Sequence, residues 1–318
     1  MTTPTDRRQP LAIRQVAHLP PVMAAPDALI EDLWAQQAVG VLGGEPKCCK
    51  TFLALEMALA VAAGTPCLGR FRVKDPGPVL LFAAEDAPVN IRQRLDGLAQ
   101  ARGVDFDTVP IFLILTEQLR LDQKDDLARL TQAVDTHRPR LLILDPFVRL
   151  HRRDENSARE ISALLADLRA LQRRFAMAIL LVHHTRKSQG HASGQNLRGS
   201  GDLHAWGDTN LYLQRRHENL RLTVEHRTAR APQPMALTLT GQPPHLIVDN
   251  APPPTPIADL QQQILDTLDH HNTPLNQEQL RRTLRIRNQS LTTALRQLLH
   301  ENKITRTKKG WTAPILPS

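Results

Sequence analysis

The sequence predicts an α/β protein: a mostly parallel sheet covered by helices and extended by antiparallel strands, with a small separate unit at the C-terminal end. Three patterns predict it. From residue 38 to 178 short apolar runs alternate with helical patterns, the signature of a covered parallel sheet. Four strand-like segments without intervening helices then follow. Finally, the proline-rich stretch "NAPPPTP" sets apart a tail whose apolar residues recur at helical spacing.

In chain order the apolar runs are "AVGVLG", "PVLLFAA", "PIFLILT", "RLLILD" and "MAILLVHH", each short enough for a buried strand. Helical patterns lie between them at 50–63, 88–102, 125–137 and 157–175. The last opens on Ser157, with Glu160 three residues on, the pairing that ties down the free N–H groups of a helix start. Residues 185–201, "TRKSQGHASGQNLRGSG", carry three basic residues, four glycines and no acid. Such a stretch buries no face and is expected to be a surface loop. The strand-like segments are 209–213, 220–225, 235–239 and 245–248. In the tail, Leu260, Ile264, Leu265 and Leu268 fit one helix, Leu280 and Leu284 a second, and Leu291, Leu295, Leu298 and Leu299 a third. A strand "KITRT", a turn at Lys308, Lys309 and Gly310, and "WTA" complete a hairpin.

Bulk properties narrow the partner. Forty Lys and Arg against 32 Asp and Glu give +8, which favours an acidic polymer, nucleic acid first. With 3% aromatics, the core must rest on aliphatic side chains. No run approaches the ~18 apolar residues of a membrane span, and the first residues lack a signal-peptide core. The three cysteines, Cys48, Cys49 and Cys67, have no metal-ligand spacing, and the adjacent pair suits no structural disulfide, so a reducing, cytoplasmic location is expected.

The chemistry concentrates at strand ends. Gly44-Glu45-Pro46-Lys47-Cys48-Cys49-Lys50-Thr51 fits the phosphate-binding frame G-x-x-x-x-G-K-[ST] except that Cys49 stands where the second glycine belongs. A strand before and an apolar helix after give the motif its mechanism, since loop and helix N–H groups point at phosphates; a glycine turn capping an ordinary helix is the alternative. Lys50 then reaches the β- and γ-phosphates, and Thr51 offers its hydroxyl to Mg²⁺. Cys49 is a tolerated small side chain, at a cost in approach or strain, or else a thiol activated by Lys50 and the helix start as a redox switch. Asp145 ends "RLLILD" where such sheets bind ligands, and would orient Mg²⁺ through water; an ordinary strand-end aspartate is the alternative. Beyond "PVLLFAA", Glu85 can polarise an attacking water while Asp86 suits a helix cap; both acids as simple caps is the alternative. His183 and His184 end "MAILLVHH", where a histidine can sense the γ-phosphate, His184 ahead of His183, or serve structure alone.

The strings "GGEPKCCKT", "LLFAAEDAP", "LLILDPFVRLHRRDEN" and "LLVHHTRK...LRGSG", in this order, resemble the RecA-like P-loop ATPases of the RepA group. These are hexameric replicative helicases of plasmids and related mobile elements, which share a fold with RecA and KaiC. The likeness covers residues 38–248. It implies ATP and Mg²⁺ as cofactors, phosphate and metal binding by Lys50 and Thr51, Glu85 as catalytic carboxylate, Asp145 as the Mg²⁺ acid and His184 as phosphate sensor. It also implies a homo-oligomeric ring, expected as a hexamer, in which a neighbour inserts an arginine; Arg227 and Arg230 in "VEHRTARAP" are the candidates, or else solvated surface charges. Cys49 and the C-terminal unit depart from that group. The expected organisation is an N-terminal arm at 1–30, a RecA-like ATPase domain at 31–249, a linker at 250–257 and a DNA-binding unit at 258–318.

That last unit resembles a winged helix domain. Its third helix would present Arg287, Asn288, Gln289, Thr292, Thr293 and Arg296 away from the leucine stripe, side chains suited to base edges. Arg306, Lys308 and Lys309 on the hairpin suit phosphates. Nine Lys or Arg against five Asp or Glu place +4 of the total charge in residues 258–318. A protein-contact role for this unit is the alternative. In the glycine-rich stretch, Arg186, Lys187 and Arg198 could follow a single strand's backbone by charge alone, or belong to an ordinary loop. Three functions fit: an ATP-hydrolysing DNA motor, as in replication of a plasmid, phage or integrated element; an ATP-switched DNA-binding regulator or initiator; or an adaptor with a dead nucleotide site.

Overall fold

A computed structural model describes residues 13–18, 28–152, 158–184, 201–216, 219–249, 256–271, 274–284, 286, 288–307 and 310–312. The chain divides into two compact units, Met1–Asp249 and Asn250–Ser318.

In the first unit a small hairpin, β1 (Ala28–Ile30) and β2 (Trp34–Ala35), precedes β3 (Val39–Gly44), α1 (Lys50–Ala63), β4 (Val79–Ala83), α2 (Pro88–Arg102) and β5 (Ile111–Leu113). Then come α3 (Lys124–His137), β6 (Leu141–Asp145), α4 (Ala158–Phe175), β7 (Ala178–His184) and the short α5 (Gly201–Trp206). Strands β8 (Thr209–Arg216), β9 (Asn219–His226), β10 (Met235–Thr240) and β11 (His245–Val248) finish it. Among the described residues they form a nine-stranded sheet in the order β11-β10-β9-β8-β3-β7-β6-β4-β5. From β8 to β5 all neighbours are parallel, and β8 to β11 pair antiparallel. The predicted α/β class with its antiparallel extension is therefore present.

The parallel strands are apolar on both faces because helices cover both. Successive strand residues point to opposite sides. Leu141 and Ile143 join one core with Leu53, Leu55 and Met57 of α1 and Leu98 of α2. Leu142 and Leu144 join the other, with Val134 of α3 and Ile161, Leu165 and Leu168 of α4. Glycine in β3 has a packing reason: a Cβ on Gly40 would overlap the Thr209 carbonyl of β8. In α1 the buried Glu56 accepts from Arg102 Nε at 2.8 Å and from the Leu68 amide at 2.9 Å. Burial still raises its pKa against that pairing.

The run "PIFLILT" yields a strand of three residues only. Strand β5 is the sheet edge, and Leu115 beyond it is 73% exposed. The capping Ser157 lies outside the described residues.

The second unit has α6 (Pro256–His270), α7 (Gln277–Leu284), α8 (Asn288–His300) and the antiparallel pair β12 (Thr305–Thr307) and β13 (Gly310–Thr312). Leu275 bridges to Trp311 beside it. Leu260, Ile264, Leu268, Leu280, Leu291, Leu295 and Leu298 make its core with Trp311. Leu299, placed in the apolar stripe by spacing, is 40% exposed. Asn276 and Gln279 cap α7 reciprocally, Oδ1 to the Gln279 amide at 2.9 Å and Oε1 to the Asn276 amide at 2.8 Å.

Candidate nucleotide site

The site forms where β3, β6 and β7 end together. Parallel register puts Gly44 of β3 level with His184 of β7, and Ala83 of β4 level with Asp145 of β6. Residues that follow these strands in sequence thus meet at one edge, the edge at which open α/β sheets bind ligands.

Gly44 ends β3 where a Cβ would crowd the Leu213 carbonyl and the Cys48 thiol. The loop Glu45, Pro46, Lys47, Cys48 then turns into α1. Both Lys47 (φ 64°) and Cys49 (φ 66°, ψ 26°) occupy the left-handed region. Cys49 therefore adopts the conformation for which glycine stands at this place in the motif, and bears the strain of a Cβ there. Backbone alternating through left-handed residues turns successive N–H groups toward an anion.

Lys50, the first residue of α1, is buried, and its Nζ donates to the carbonyls of Gly44 (3.0 Å) and Glu45 (2.7 Å). Burial lowers its pKa, opposed chiefly by Cys48 and Asp145. The Cys48 thiol is buried and its pKa raised by desolvation, which makes it a poor nucleophile. Asp145 is 7% exposed. Burial pushes its pKa up to about 6, while the Thr51 hydroxyl, which bonds its carboxylate, and Lys50 pull it down. A hydroxyl and a carboxylate already in contact, beside a lysine, fit the oxygen donor set that Mg²⁺ takes when it arrives with phosphate.

Glu85 follows β4 by two residues and accepts from Arg149 Nε at 3.1 Å. It lies close enough to Lys50 and Asp145 to influence both. Asp86 is not a cap: Ala87 occupies the cap position of α2, Pro88 begins the helix, and Asp86 pairs with Arg94 at 2.6 Å. Of the two histidines, His183 is buried, its ring T-shaped to that of Phe147 with centroids 6.2 Å apart, whereas His184 at the strand end is half-buried.

Arg227 and Arg230 sit elsewhere. They follow β9, which runs antiparallel to β8, so they emerge at the opposite edge of the sheet from their own phosphate loop. Arg227 donates to the Ala205 carbonyl and approaches Asp208 at 3.4 Å, a carboxylate that also takes Arg169. Arg230 is exposed. The residue that sequence reasoning missed is Arg215. Strand β8 runs on to Arg216, past the expected end at 213, and Arg215 Nη2 lies 3.1 Å from Cys49 Sγ. The signal was the Arg-Arg pair just past the expected strand end, but only the pairing of Gly44 with Leu213 reveals which loop Arg215 reaches.

In the second unit Arg296 and Thr293 are exposed on α8, Thr292 accepts from Gln277 Nε2 at 2.9 Å, and the Arg306 guanidinium stacks over Trp311 at 5.4 Å. Arg186, Lys187, Arg198, Arg287, Lys308 and Lys309 lie outside the described residues, as do the side chains of Asn288 and Gln289. Among the described residues no helix is long and apolar enough to cross a membrane.

The model of the family described as AAA domain (AAA_25) matches residues 4–190. Among solved structures, the ATPase domain of G40P matches with a TM-score of 0.50 and 14% identity, over 64% of this chain and 82% of that one. The RadB recombinase (TM-score 0.48, 16% identity, 64% and 88% covered) is also similar. So is the KaiC-like protein PH0186 from the hyperthermophilic archaea Pyrococcus horikoshii OT3 (0.49, 18%, 70% and 93%). The strand order, the loop and the G40P likeness together define a RecA-like P-loop NTPase fold.

Proposed function

The chain belongs to the AAA domain family, and on that premise we propose that it hydrolyses ATP to drive a DNA-associated motor, specifically a RepA-like replicative helicase of a plasmid, phage or integrated element. The cluster of Lys50, Thr51 and Asp145 at the start of a buried helix carries this reading. A P-loop that had lost its role would have no reason to keep a desolvated lysine beside a desolvated carboxylate, since each ion is costly to bury.

Loop amides and Lys50 bind the triphosphate, and Lys50 leaves its two carbonyl acceptors for the β- and γ-phosphates. Thr51 and Asp145 would hold Mg²⁺, which when bound would supply positive charge against the phosphate oxygens. Glu85 orients a water in line with the γ-phosphorus and accepts its proton. His184, level with Gly44, senses the γ-phosphate. A neighbouring copy supplies an arginine, for which exposed Arg230 is better placed than Arg227, already engaged by Asp208. The C-terminal unit acts as a winged helix on duplex DNA through Arg287, Asn288, Gln289 and Arg296, and Arg186, Lys187 and Arg198 follow the single strand. A homo-hexameric ring fits this scheme.

One observation favours a second reading, an ATP-switched regulator or initiator: the left-handed Cys49 puts strain and a side chain where the phosphate approaches. Steady-state ATPase with and without single-stranded DNA, together with unwinding of a forked duplex, separates the two. The motor reading expects stimulation by DNA, unwinding, and loss of both in Lys50→Ala and Glu85→Gln. Nucleotide binding without unwinding, indifferent to Glu85→Gln, would reject the motor and keep the switch.

A further inference from the structure

Glu85 is tethered by a residue outside the phosphate loop. Its Oε1 accepts from Arg149 Nε at 3.1 Å, and the two side chains are 47% and 62% exposed. Arg149 belongs to the short 3-10 turn Phe147–Leu150 that leaves Asp145, so one five-residue stretch carries both the metal acid and the group that holds the carboxylate.

The backbone of that turn is pinned while the guanidinium is not. Arg120 Nη1 donates to the carbonyls of Arg149 and His151, each at 3.0 Å, and the Leu121 amide donates to the Leu150 carbonyl at 2.7 Å. Arg149 can thus change partner without moving Asp145. There is room for it to do so: a pocket of about 530 Å³ opens beside the pair, lined by Phe82, Glu85, Glu117, Arg120 and Arg149. An ion pair this exposed is weak, worth up to ~1 kcal/mol, so a stronger anion competes for the guanidinium readily.

A phosphodiester is the anion that the chain's chemistry favours. Arg149 and Arg152 are both exposed, three residues apart, and the whole chain carries +8. Guanidinium can grip a phosphate with two parallel N–H groups, whereas Glu85 takes that of Arg149 here through Nε at 3.1 Å.

We propose that Arg149 holds Glu85 away from the attacking water, and that a backbone phosphate of single-stranded DNA, by taking Arg149, releases the carboxylate to the nucleotide. Arg149 is then a positioning residue through which DNA stimulates hydrolysis. The proposal rests on the motor reading given above, with Glu85 as the base.

The test measures basal ATPase, ATPase with saturating oligothymidylate, and binding of a fluorescent ATP analogue, for wild type, Arg149→Ala, Arg149→Lys and Glu85→Gln. Arg149→Ala should raise the basal rate about fivefold, the equivalent of about 1 kcal/mol in barrier, and bring the stimulation ratio to about one. Arg149→Lys should restore part of the stimulation, and analogue binding should hold within about twofold of wild type throughout. A merely structural pair would leave the stimulation ratio unchanged, and that result overturns the proposal while the motor stands. So does an Arg149→Ala protein slower with and without DNA, which makes the arginine an activator. Stimulation that follows protein concentration and not DNA assigns Arg149 to a subunit contact and rejects the phosphate. A wild type without hydrolysis, unchanged by Glu85→Gln, removes the motor reading and the proposal with it.

Discussion

Substituting Cys49 by glycine and by valine measures what the phosphate loop tolerates at its missing glycine. At φ 66° and ψ 26° the Cβ of Cys49 sits in the left-handed region, at a cost of ~1–2 kcal/mol for an L-residue. Glycine removes that strain but adds ~0.4–1 kcal/mol of unfolded-chain entropy. It also gives up the 3.1 Å contact of Sγ with Arg215, at an exposed site worth no more than ~0.5 kcal/mol. Cys49→Gly should therefore lie between ~0.5 kcal/mol less and ~1.5 kcal/mol more stable. Valine keeps the Cβ and adds a branch that the left-handed region excludes more strongly, so Cys49→Val should lose ~1–2 kcal/mol. The gap of about 2 kcal/mol corresponds to about 4–8 °C in Tm for a unit of this size. Differential scanning calorimetry of the full chain reads it, and titration with Mg·ATP should rank affinity Gly, Cys, Val from tightest to weakest. Glycine and valine variants melting within about one degree of each other would show that residue 49 is not left-handed in solution, and the strain assigned to it would go with that.

Under the proposed role of Asp145 as the Mg²⁺ acid, pH couples to both stability and metal binding. Its folded pKa of about 6 exceeds the ordinary 3.8, so the folded protein holds an extra proton between those values. The stability this contributes is complete below about pH 3.8 and lost as pH rises through about 6, of order 2–3 kcal/mol. Mg·ATP affinity runs the other way, falling below pH ~6 as the carboxylate protonates, and isothermal titration of Asp145→Asn should show neither dependence, with a higher Tm at pH 8. Arg102→Ala leaves Glu56 buried without its cation and should cost ~3–5 kcal/mol in urea denaturation, most of it recovered when both residues become methionine. Under the proposed trans role, Arg230→Ala alone should depress ATPase activity at least ~10²-fold, the scale of a lost charge stabiliser, and mixing it with Lys50→Ala subunits, which keep Arg230, should restore part of it. Arg227→Ala should instead lower stability by ~1 kcal/mol, as its Asp208 and Ala205 contacts predict, and equal ATPase losses in both variants would reject that division.

What the residues determined by themselves follows from short-range rules. Strand apolarity on both faces marked β3, β4, β6 and β7 to within a residue, because each lies between two helical layers and any polar residue there would be buried unpaired. The glycine-started loop and the apolar helix after Lys50 made the phosphate site legible, since motif and helix start are contiguous in the chain. Strand-end acids were legible as candidates for the same reason. What tertiary structure alone decided depends on strand order and register, which no local pattern encodes. Placing β8 beside β3 brings Arg215 across 166 residues onto Cys49 and sends Arg227 to the far edge, where Asp208 takes it. Placing β4 beside β6 sets Ala83 level with Asp145, and the turn after Asp145 brings Arg149 onto Glu85 across 64 residues. Those contacts are made by long, charged side chains whose partners the backbone selects by distance in space, and sequence separation carries no trace of that choice.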